Sequence, residues 1–355
     1  MTTTTPTGRP KVDLKDPADL LAAIPYILGF HPEDSVVVFG QRGPDRKRQG
    51  LTLRVDLPPP GLEKDQAFDL AARLSATAHT GATVAVIGGG TLNPAGRPPR
   101  RRFVRRLESS LAEFGIPVLH PLWAPRIAAG VPWGCYRDTS CGGVLPDPRE
   151  SVIAAIVTSD GHITRESREE LEHLFDAGPP ETLARRADLL NRLADPPWPD
   201  EPVVEAGLAE VNAALARVAR GDRTITDDQA VRLAWALSLV EVRSACLLTA
   251  APADSPLARA AEDLWLRLAR ELPEPESAEA LCLKAHAAYA RGDLTVAGMA
   301  LARACAVDPE HGLARLLTVA LDSMLAPSEV AGIVLRQQEE GPRYVLSLES
   351  SGGSA

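Results

Sequence analysis

The segment around His31 has residue types suited to acid–base chemistry. Glu33 and Asp34 follow His31 within three positions. Neighbouring carboxylates can raise the pKa of an imidazole and orient its ring for proton transfer. A structural cap explains the same residues without chemistry, because Gly29 can end a helix and Asp34 can bond to nearby backbone amides. His31, Glu33 and Asp34 are therefore ligand-binding candidates, although a capped turn is the favoured interpretation.

Three consecutive glycines, Gly88, Gly89 and Gly90, follow an apolar run that predicts a strand over 83–88. Such a turn can bring the backbone close to a phosphate. However, neither the GxxxxGK[ST] nor the GxGxxG pattern is present. About ten residues separate the glycines from the next predicted helix, so its N-terminus would not lie beneath a bound phosphate. A flexible strand-to-helix turn is favoured, with a small-molecule or nucleotide site as the alternative.

Six arginines within ten residues form a possible phosphate or RNA contact: Arg97, Arg100, Arg101, Arg102, Arg105 and Arg106. Positive charge at a helix N-terminus opposes the helix dipole by only about a few tenths of a kcal/mol. That cost is too small to require an anionic partner. We expect an exposed surface here, with Arg100, Arg101 and Arg102 as the phosphate or nucleic-acid candidates under the alternative.

Cysteines and histidines do not match a known metal-binding pattern. Five residues separate Cys135 from Cys141 rather than two to four, and no second cysteine pair follows. His120 or His162 would complete a site only if the fold brought one of them there. The G-x-S-x-G and H-E-x-x-H motifs are also absent. We therefore predict no metal site and no cofactor, leave catalytic residues unassigned, and favour a protein that is not an enzyme.

Composition and charge restrict the class of protein. The chain has 355 residues, 45% hydrophobic and 24% charged, which predicts a folded protein of two domains or one large domain. Residues 1–175 carry a net charge of +1 and the remainder −10. The acidic second half argues against general nucleic-acid binding. Five scattered cysteines indicate reduced thiols, and neither a signal peptide nor a membrane span is recognisable. We expect a soluble cytoplasmic protein.

The pattern of elements predicts a mixed α/β domain over 13–176, after a disordered tail at 1–12. Asp16 and Pro17 begin a helix that Gly29 ends. The strands and helices that follow alternate, which indicates a partly parallel sheet. The predicted strands are 35–40, 51–57, 83–88, 116–122 and 151–158, and the predicted helices are 65–79 and 100–114, with a capping box at 167–170.

Chain direction predicts where the candidate residues lie. If 35–40 and 51–57 form a hairpin and two helical crossovers follow, the second strand runs parallel to 83–88 and 116–122. The segments 31–34, 88–90 and 120–123 should then meet at the carboxyl edge, where open α/β sheets place ligands. This expectation adds His120 to the ligand-binding candidates.

The second half is predicted to be all-helical and to resemble helical-repeat proteins. After a proline-rich junction at 177–202, alanine-rich helical patterns fill a domain over 203–340, and 341–355 reads as a flexible tail. Gly292, Ala297, Leu301, Ala304 and Pro309 have the spacing of one tetratricopeptide unit. The predicted helices are 203–220, 227–249, 256–271, 277–291, 293–306 and 310–325.

The opening DLLAAIPYILGFHPEDSVVVFG, residues 19–40, resembles an actinobacterial family known as domain of unknown function 4192. The likeness covers most of the chain, through the segments 133–141, 167–170, 232–248 and 292–309. Family members often have Cys-Cys-Pro where this chain has Cys141, Gly142 and Gly143, which argues against a thiol-based role here. The resemblance implies a shared fold and lineage, and it implies no activity.

Three functions therefore remain open. The favoured one is a cytosolic non-enzymatic binding or scaffold protein that contacts another protein through the helical domain. The alternatives are a small-molecule or nucleotide site near His31 and the three glycines, and a nucleic-acid-associated factor that uses the arginine cluster. The sequence does not indicate an oligomeric state.

Overall fold

The fold is taken from a computed structural model of the chain. The structure describes residues 16–44, 46, 48–76, 78–159, 164–193 and 202–323, with short pieces at 3–4, 10–11, 325–326, 329–330, 332 and 344–348. The chain divides into two compact units, Met1–Leu171 and Glu172–Ala355. Most of the predicted tails 1–12 and 341–355 lies outside the described residues, as does His162.

The first helix, α1, spans Pro17–Leu28 and begins and ends as its sequence predicts. The carboxylate of Asp16 accepts a hydrogen bond from the amide of Ala18 at 2.7 Å, and Pro17 occupies the first turn. Gly29 ends the helix with φ at +79°, a left-handed conformation that glycine adopts without steric cost. The apolar face is buried, so α1 covers part of the core of the first unit.

The core of the first unit is a six-stranded mixed sheet with the order β4-β3-β5-β6-β7-β8. β5 and β6 are parallel, and every other neighbouring pair is antiparallel. A separate pair of two-residue strands, β1 and β2, precedes it. The strands are β1 Thr3–Thr4, β2 Pro10–Lys11, β3 Ser35–Arg42, β4 Arg48–Asp56, β5 Gly81–Ile87, β6 Val118–Ala124, β7 Pro132–Cys135 and β8 Gly142–Val144.

Two helices connect the parallel part of the sheet: α2, Glu63–Ser75, and α3, Arg101–Glu113. α2 carries the chain from β4 to β5, and α3 carries it from β5 to β6. β4, β5 and β6 therefore run in the same direction, with β3 antiparallel between β4 and β5. The predicted mixed, partly parallel sheet is confirmed.

One predicted strand is wrong, because residues 152–159 form a helix. α4 spans Val152–Ser159, and the hydroxyl of Ser151 accepts a hydrogen bond from the amide of Ala154. An apolar run of this length fits both a buried strand and a short helix, so periodicity does not separate the two. Ala154 is the only residue of α4 that is buried, while Val152 is half exposed. This degree of exposure does not suit a central strand.

The described residues of the second unit contain helices and no strand. The predicted helix 227–249 is two helices, because Leu239 between them has extended backbone angles. The helices are α5 Arg168–Glu172, which crosses the boundary between the units, α6 Pro180–Arg192, α7 Val203–Ala219, α8 Asp227–Ser238, α9 Val240–Leu248, α10 Pro256–Glu271, α11 Ser277–Arg291, α12 Leu294–Val307 and α13 Gly312–Asp322. The all-helical second half is confirmed.

A buried arginine fixes α6 within the second unit. Arg186 is 3% exposed, and its guanidinium contacts the carboxylates of Asp227 and Glu271 at 2.9 and 3.1 Å. It also donates to the carbonyl oxygens of Ile225 and Glu271. Part of the predicted junction 177–202 is therefore a helix that belongs to the second unit, and residues 194–201 lie outside the described part.

The hydropathy of the helices can also be compared with that of a membrane span. Among the helices that the structure describes, none combines the length and the apolar character required to cross a bilayer.

Candidate functional site

The predicted convergence at the carboxyl edge of the sheet is present for the segments 31–34 and 88–90 and for Trp123 of the third segment, but not for His120. Ser35, the first residue of β3, lies opposite Asp56 and Ile87, so β4 and β5 end beside the turn that contains His31. The carboxylate of Asp34 accepts a hydrogen bond from the amide of Gly89 at 2.7 Å. The indole of Trp123 donates to the carbonyl oxygen of Gly88 at 2.9 Å.

The turn at 31–34 and the turn at 88–90 pack so closely that their polar groups bind one another. A Cβ atom on Gly88 would lie 2.5 Å from the carboxylate of Asp34, and one on Gly89 would lie 2.8 Å from Cγ of Arg100. Asp34 holds the Gly89 amide, which is a group that would bind a phosphate in a glycine-rich loop, and its negative charge would repel an anion there. The geometry explains the glycines by packing, and ligand binding at this edge stays a prediction.

A cation whose side chain is only 11% exposed lies at the same edge and was not identified from the sequence. Arg54 in β4 donates to the hydroxyl of Ser35 at 2.9 Å and pairs with Asp56 at 2.6 Å. Its guanidinium lies 5.4 Å from the ring centroid of Phe30. Burial lowers the pKa of the Arg54 guanidinium, but its neighbours satisfy its charge, which fits a structural role. His31 donates its backbone amide to the carbonyl oxygen of Arg165 at 3.0 Å.

His120 lies away from the sheet edge, contrary to the predicted position. β6 continues to Ala124, which lies opposite Ile87, whereas His120 lies opposite Thr83. Four residues of strand correspond to about 13 Å. His120 therefore belongs to the interior of β6, because the strand extends two residues beyond its predicted end at 122.

His120 instead lies beside Cys135 and Cys141, with which the sequence predicts no shared site. The ligand atoms of His120, Cys135 and Cys141 all lie within 4.8 Å of one another. The Nε2 atom of His120 is 3.4 Å from the Sγ atom of Cys141. The β7–β8 hairpin brings the cysteines together, since the amide of Cys135 donates to the carbonyl oxygen of Cys141 at 3.0 Å. We call these three residues the His-Cys-Cys cluster.

Spacing rules missed this cluster because they describe cysteines that are joined by a tight turn. Here the intervening residues form a hairpin connection, so a longer separation still returns the chain to the same place. The Pro- and Gly-rich composition of residues 124–150 is typical of loops or a short hairpin. Pairing across that hairpin would have been the signal for the two thiols, whereas the position of His120 depends on the pairing of β6 with β7.

Arg137 lies beside the His-Cys-Cys cluster and brings a positive charge and hydrogen-bond donors close to it. Its backbone amide lies 3.4 Å from the Sγ atom of Cys135. Its guanidinium donates to Glu108 at 2.7 Å and to the carbonyl oxygen of Val118 at 2.8 Å. Burial, and then the charge of Arg137, lower the pKa of His120, so its imidazole is neutral near pH 7. Burial, followed by the nearby Cys135, raises the pKa of the Cys141 thiol.

The arginine cluster is divided between structural and exposed side chains. Arg100 donates to the carbonyl oxygen of Pro58 at 3.2 Å and lies before α3 with φ at +57°. Arg106 lies 3.5 Å from the carboxylate of Glu63. Arg102 and Arg105 are exposed, and Arg101 is half-buried. Two of the six arginines therefore have partners within the fold, and phosphate binding by Arg100, Arg101 and Arg102 stays a prediction.

The helical unit contains an apolar cleft of about 230 Å³. Its wall is formed by α6, by the end of α10 with the segment that follows, and by α12. At its rim, Arg303 pairs with Glu274 at 3.1 Å, and both side chains are exposed. The lining includes Phe175, Leu183, Ala184, Leu272, Pro273 and Arg303.

Two of the three remaining cysteines belong to the interior of the helical unit, and Cys305 is half-buried. Cys246 and Cys282 are buried, and burial raises the pKa of both thiols. These thiols stay protonated near neutral pH and are unreactive as nucleophiles. They act as small apolar residues of the core.

Comparison with known proteins and families identifies the family of this chain. No curated protein and no solved structure matches the chain. The model of a family described as a domain of unknown function, DUF4192, matches residues 17–328, which is most of the chain and includes the sheet, the His-Cys-Cys cluster and the helices up to α13. The chain therefore belongs to the DUF4192 family.

Proposed function

We propose that this chain is a non-enzymatic binding or scaffold protein of the cytoplasm, and that its helical unit binds a segment of another protein. The observation that carries the proposal is the apolar cleft. Its volume of about 230 Å³ is below the roughly 300–1,000 Å³ of small-molecule sites. It therefore suits an apolar side chain of a partner better than a complete small-molecule ligand.

The chemistry of the cleft indicates what the partner segment contains. Leu183, Leu272 and Phe175 supply apolar wall, so burial of an apolar side chain contributes about 25 cal/mol per Å² of buried area. Arg303 and Glu274 stand at the rim and are 45% and 59% exposed. They can exchange their mutual ion pair for polar contacts with the partner backbone or side chains.

The proposal includes one tetratricopeptide-like unit formed by α11 and α12. Gly292 joins the two helices with φ at +90°, so the turn is short and the helices lie side by side. Ala297, Leu301 and Ala304 of α12 are buried, and small residues of this kind let paired helices approach closely. Arg303, on the same helix, connects this unit to the rim of the cleft.

A variant that fills the cleft tests the proposal. Ala184→Trp places a large side chain in the cleft, and Ala213→Trp makes the same change on the exposed face of α7 as a matched control. In quantitative affinity purification from the native host, we expect at least one protein to be depleted about tenfold by Ala184→Trp only. Calorimetry with that purified protein should reproduce the difference. Equal recovery of every protein by both variants would overturn the proposal.

The predicted domain limits, 13–176 and 203–340, are part of the same proposal. α6 lies within the predicted junction 177–202, and Arg186 ties it to α8. We therefore expect limited proteolysis to cleave the junction on either side of α6. Preferential cleavage inside α7–α13 would contradict these limits.

A further inference from the structure

We propose that the His-Cys-Cys cluster binds one Zn²⁺ ion through the imidazole of His120 and the thiolates of Cys135 and Cys141. The site lies in the first unit and is independent of the cleft in the helical unit. It would add a metal-binding activity to a chain for which the sequence predicts none.

The donor set selects the class of metal. Two thiolates and one imidazole are soft to borderline ligands, which prefer Zn²⁺ and related transition metals to Mg²⁺ or Ca²⁺. Two thiolates balance the charge of a divalent ion. The nearby guanidinium of Arg137 pairs with Glu108 at 2.7 Å, so metal binding leaves no large uncompensated charge.

The distances fit a tetrahedral ion. With Zn–S bonds of about 2.3 Å and a Zn–N bond of about 2.0–2.1 Å, ligand nitrogen and sulfur lie about 3.6 Å apart and two sulfurs about 3.8 Å apart. The observed separation of His120 Nε2 from Cys141 Sγ is 3.4 Å, and no pair of ligand atoms exceeds 4.8 Å. A contraction of at most about 1 Å therefore completes the geometry.

The surrounding backbone holds the ligands in place. Cys135 and Cys141 are opposed across the hairpin by the 3.0 Å hydrogen bond from the amide of Cys135. The amide of Arg137 points at the Sγ atom of Cys135 at 3.4 Å, and such a donor stabilises a metal-bound thiolate. Gly142 follows Cys141 where a Cβ atom would lie 2.8 Å from the carbonyl oxygen of Trp133, so the close return of the chain requires glycine.

Two of the three ligand residues are accessible to solvent, so a water molecule can supply a fourth ligand. Cys135 is buried, whereas His120 and Cys141 are half-buried. Three protein ligands with a water molecule as the fourth is an established coordination for Zn²⁺.

Titration of the reduced, chelator-treated full-length chain with Zn²⁺ and Co²⁺ tests the proposal. We expect one equivalent of Zn²⁺ by elemental analysis and a thiolate-to-cobalt charge-transfer band with Co²⁺. Cys141→Ser and His120→Gln should each weaken binding about 100-fold or more, since loss of a ligand exceeds the 10–100-fold effect of losing a supporting contact. Cys141 is half-buried, so its replacement by serine is compatible with folding, which circular dichroism would check.

Matched controls separate this site from adventitious binding. Cys305→Ser makes the same chemical change at a half-buried cysteine of the helical unit, and His173→Gln changes an exposed histidine. Both should bind Zn²⁺ as the wild type does, and Zn²⁺ should protect Cys135 and Cys141 from alkylation while Cys305 still reacts. Equal loss in the controls, no stoichiometric Zn²⁺ in the reduced wild type, or a Cys135–Cys141 disulfide that persists under reduction would overturn the proposal.

Discussion

Replacement of Gly88 by alanine tests whether the sheet edge is closed by packing. Gly88 has φ at +82°, and a Cβ atom there would lie 2.5 Å from the Asp34 carboxylate and 3.0 Å from the Asp34 amide nitrogen. Gly29→Ala is the matched control, because Gly29 has φ at +79° and nothing within 4 Å of its Cβ position. Both variants share the backbone strain, and only Gly88→Ala adds the steric conflict.

The two variants should differ in magnitude. A left-handed alanine costs about 1–2 kcal/mol, and the lower entropy of the unfolded chain offsets about 0.4–1 kcal/mol of it. Gly29→Ala should therefore reduce the free energy of unfolding by about 1 kcal/mol. Gly88→Ala must also displace Asp34 and weaken its hydrogen bond to Gly89. Since a hydrogen bond to a charged group contributes about 1.5–3 kcal/mol, the total loss should be about 2.5–4 kcal/mol.

Hydrogen exchange measured by mass spectrometry separates these outcomes. Amides of β5 that exchange through global opening should exchange about fivefold faster in Gly29→Ala and about 70-fold or more faster in Gly88→Ala. Amides of α11, in the other unit, serve as the internal reference. If exchange of the β5 amides were equally faster in the two variants, the argument would be refuted. That result would mean that Asp34 moves aside without loss of stability and that the sheet edge has room for a ligand.

Three further predictions concern a buried histidine, a buried arginine and two exposed arginines. Burial lowers the pKa of His286 to about 4, so the unfolded state binds more protons than the folded state between pH 4 and 6.5. The free energy of unfolding of the helical unit should therefore fall by up to about 3 kcal/mol as the pH falls through that window. His286→Gln should abolish this loss, which urea titrations at the two ends of the window would measure. Arg186→Ala should lower the free energy of unfolding of the helical unit by about 3 kcal/mol, because it removes the ion pair of Glu271 and one of the two ion pairs of Asp227 from a buried guanidinium. Arg185→Ala removes the other ion pair of Asp227, at a 55% exposed side chain, and should cost less than about 1 kcal/mol in the same assay. The double variant Arg102→Ala/Arg105→Ala should leave anisotropy with labelled RNA unchanged at every salt concentration; a flattened salt dependence would identify a phosphate contact instead.

The position of His120 shows how small errors in strand ends affect a site. The sequence correctly predicts β6 and its parallel alignment with β5, because both depend on local patterns and chain direction. It ends the strand at 122, whereas hydrogen bonding to β5 extends it to Ala124. That difference moves His120 from the sheet edge to the interior of the strand, and the neighbours of the imidazole change completely.

A rule based on cysteine spacing does not predict the His-Cys-Cys cluster. Cys135 and Cys141 are near each other in the sequence, but their thiols meet only because β7 and β8 pair in one particular register. His120 joins them because β7 also pairs with β6. Strand pairing is a non-local interaction, and a shift of one residue would turn these side chains to opposite faces of the sheet.

The sequence by itself determined the elements that local chemistry controls: the capped helix between Asp16 and Gly29, the alternation of strands and helices, and the change to helices in the second half. These features depend on residues within one or two turns of one another. Only the tertiary structure decided that Asp34 occupies the Gly89 amide, that residues 152–159 are helical, and that two cysteines and a histidine meet. Each of these outcomes depends on which neighbour supplies a hydrogen-bond partner or covers an apolar side, and distant parts of the chain supply that neighbour.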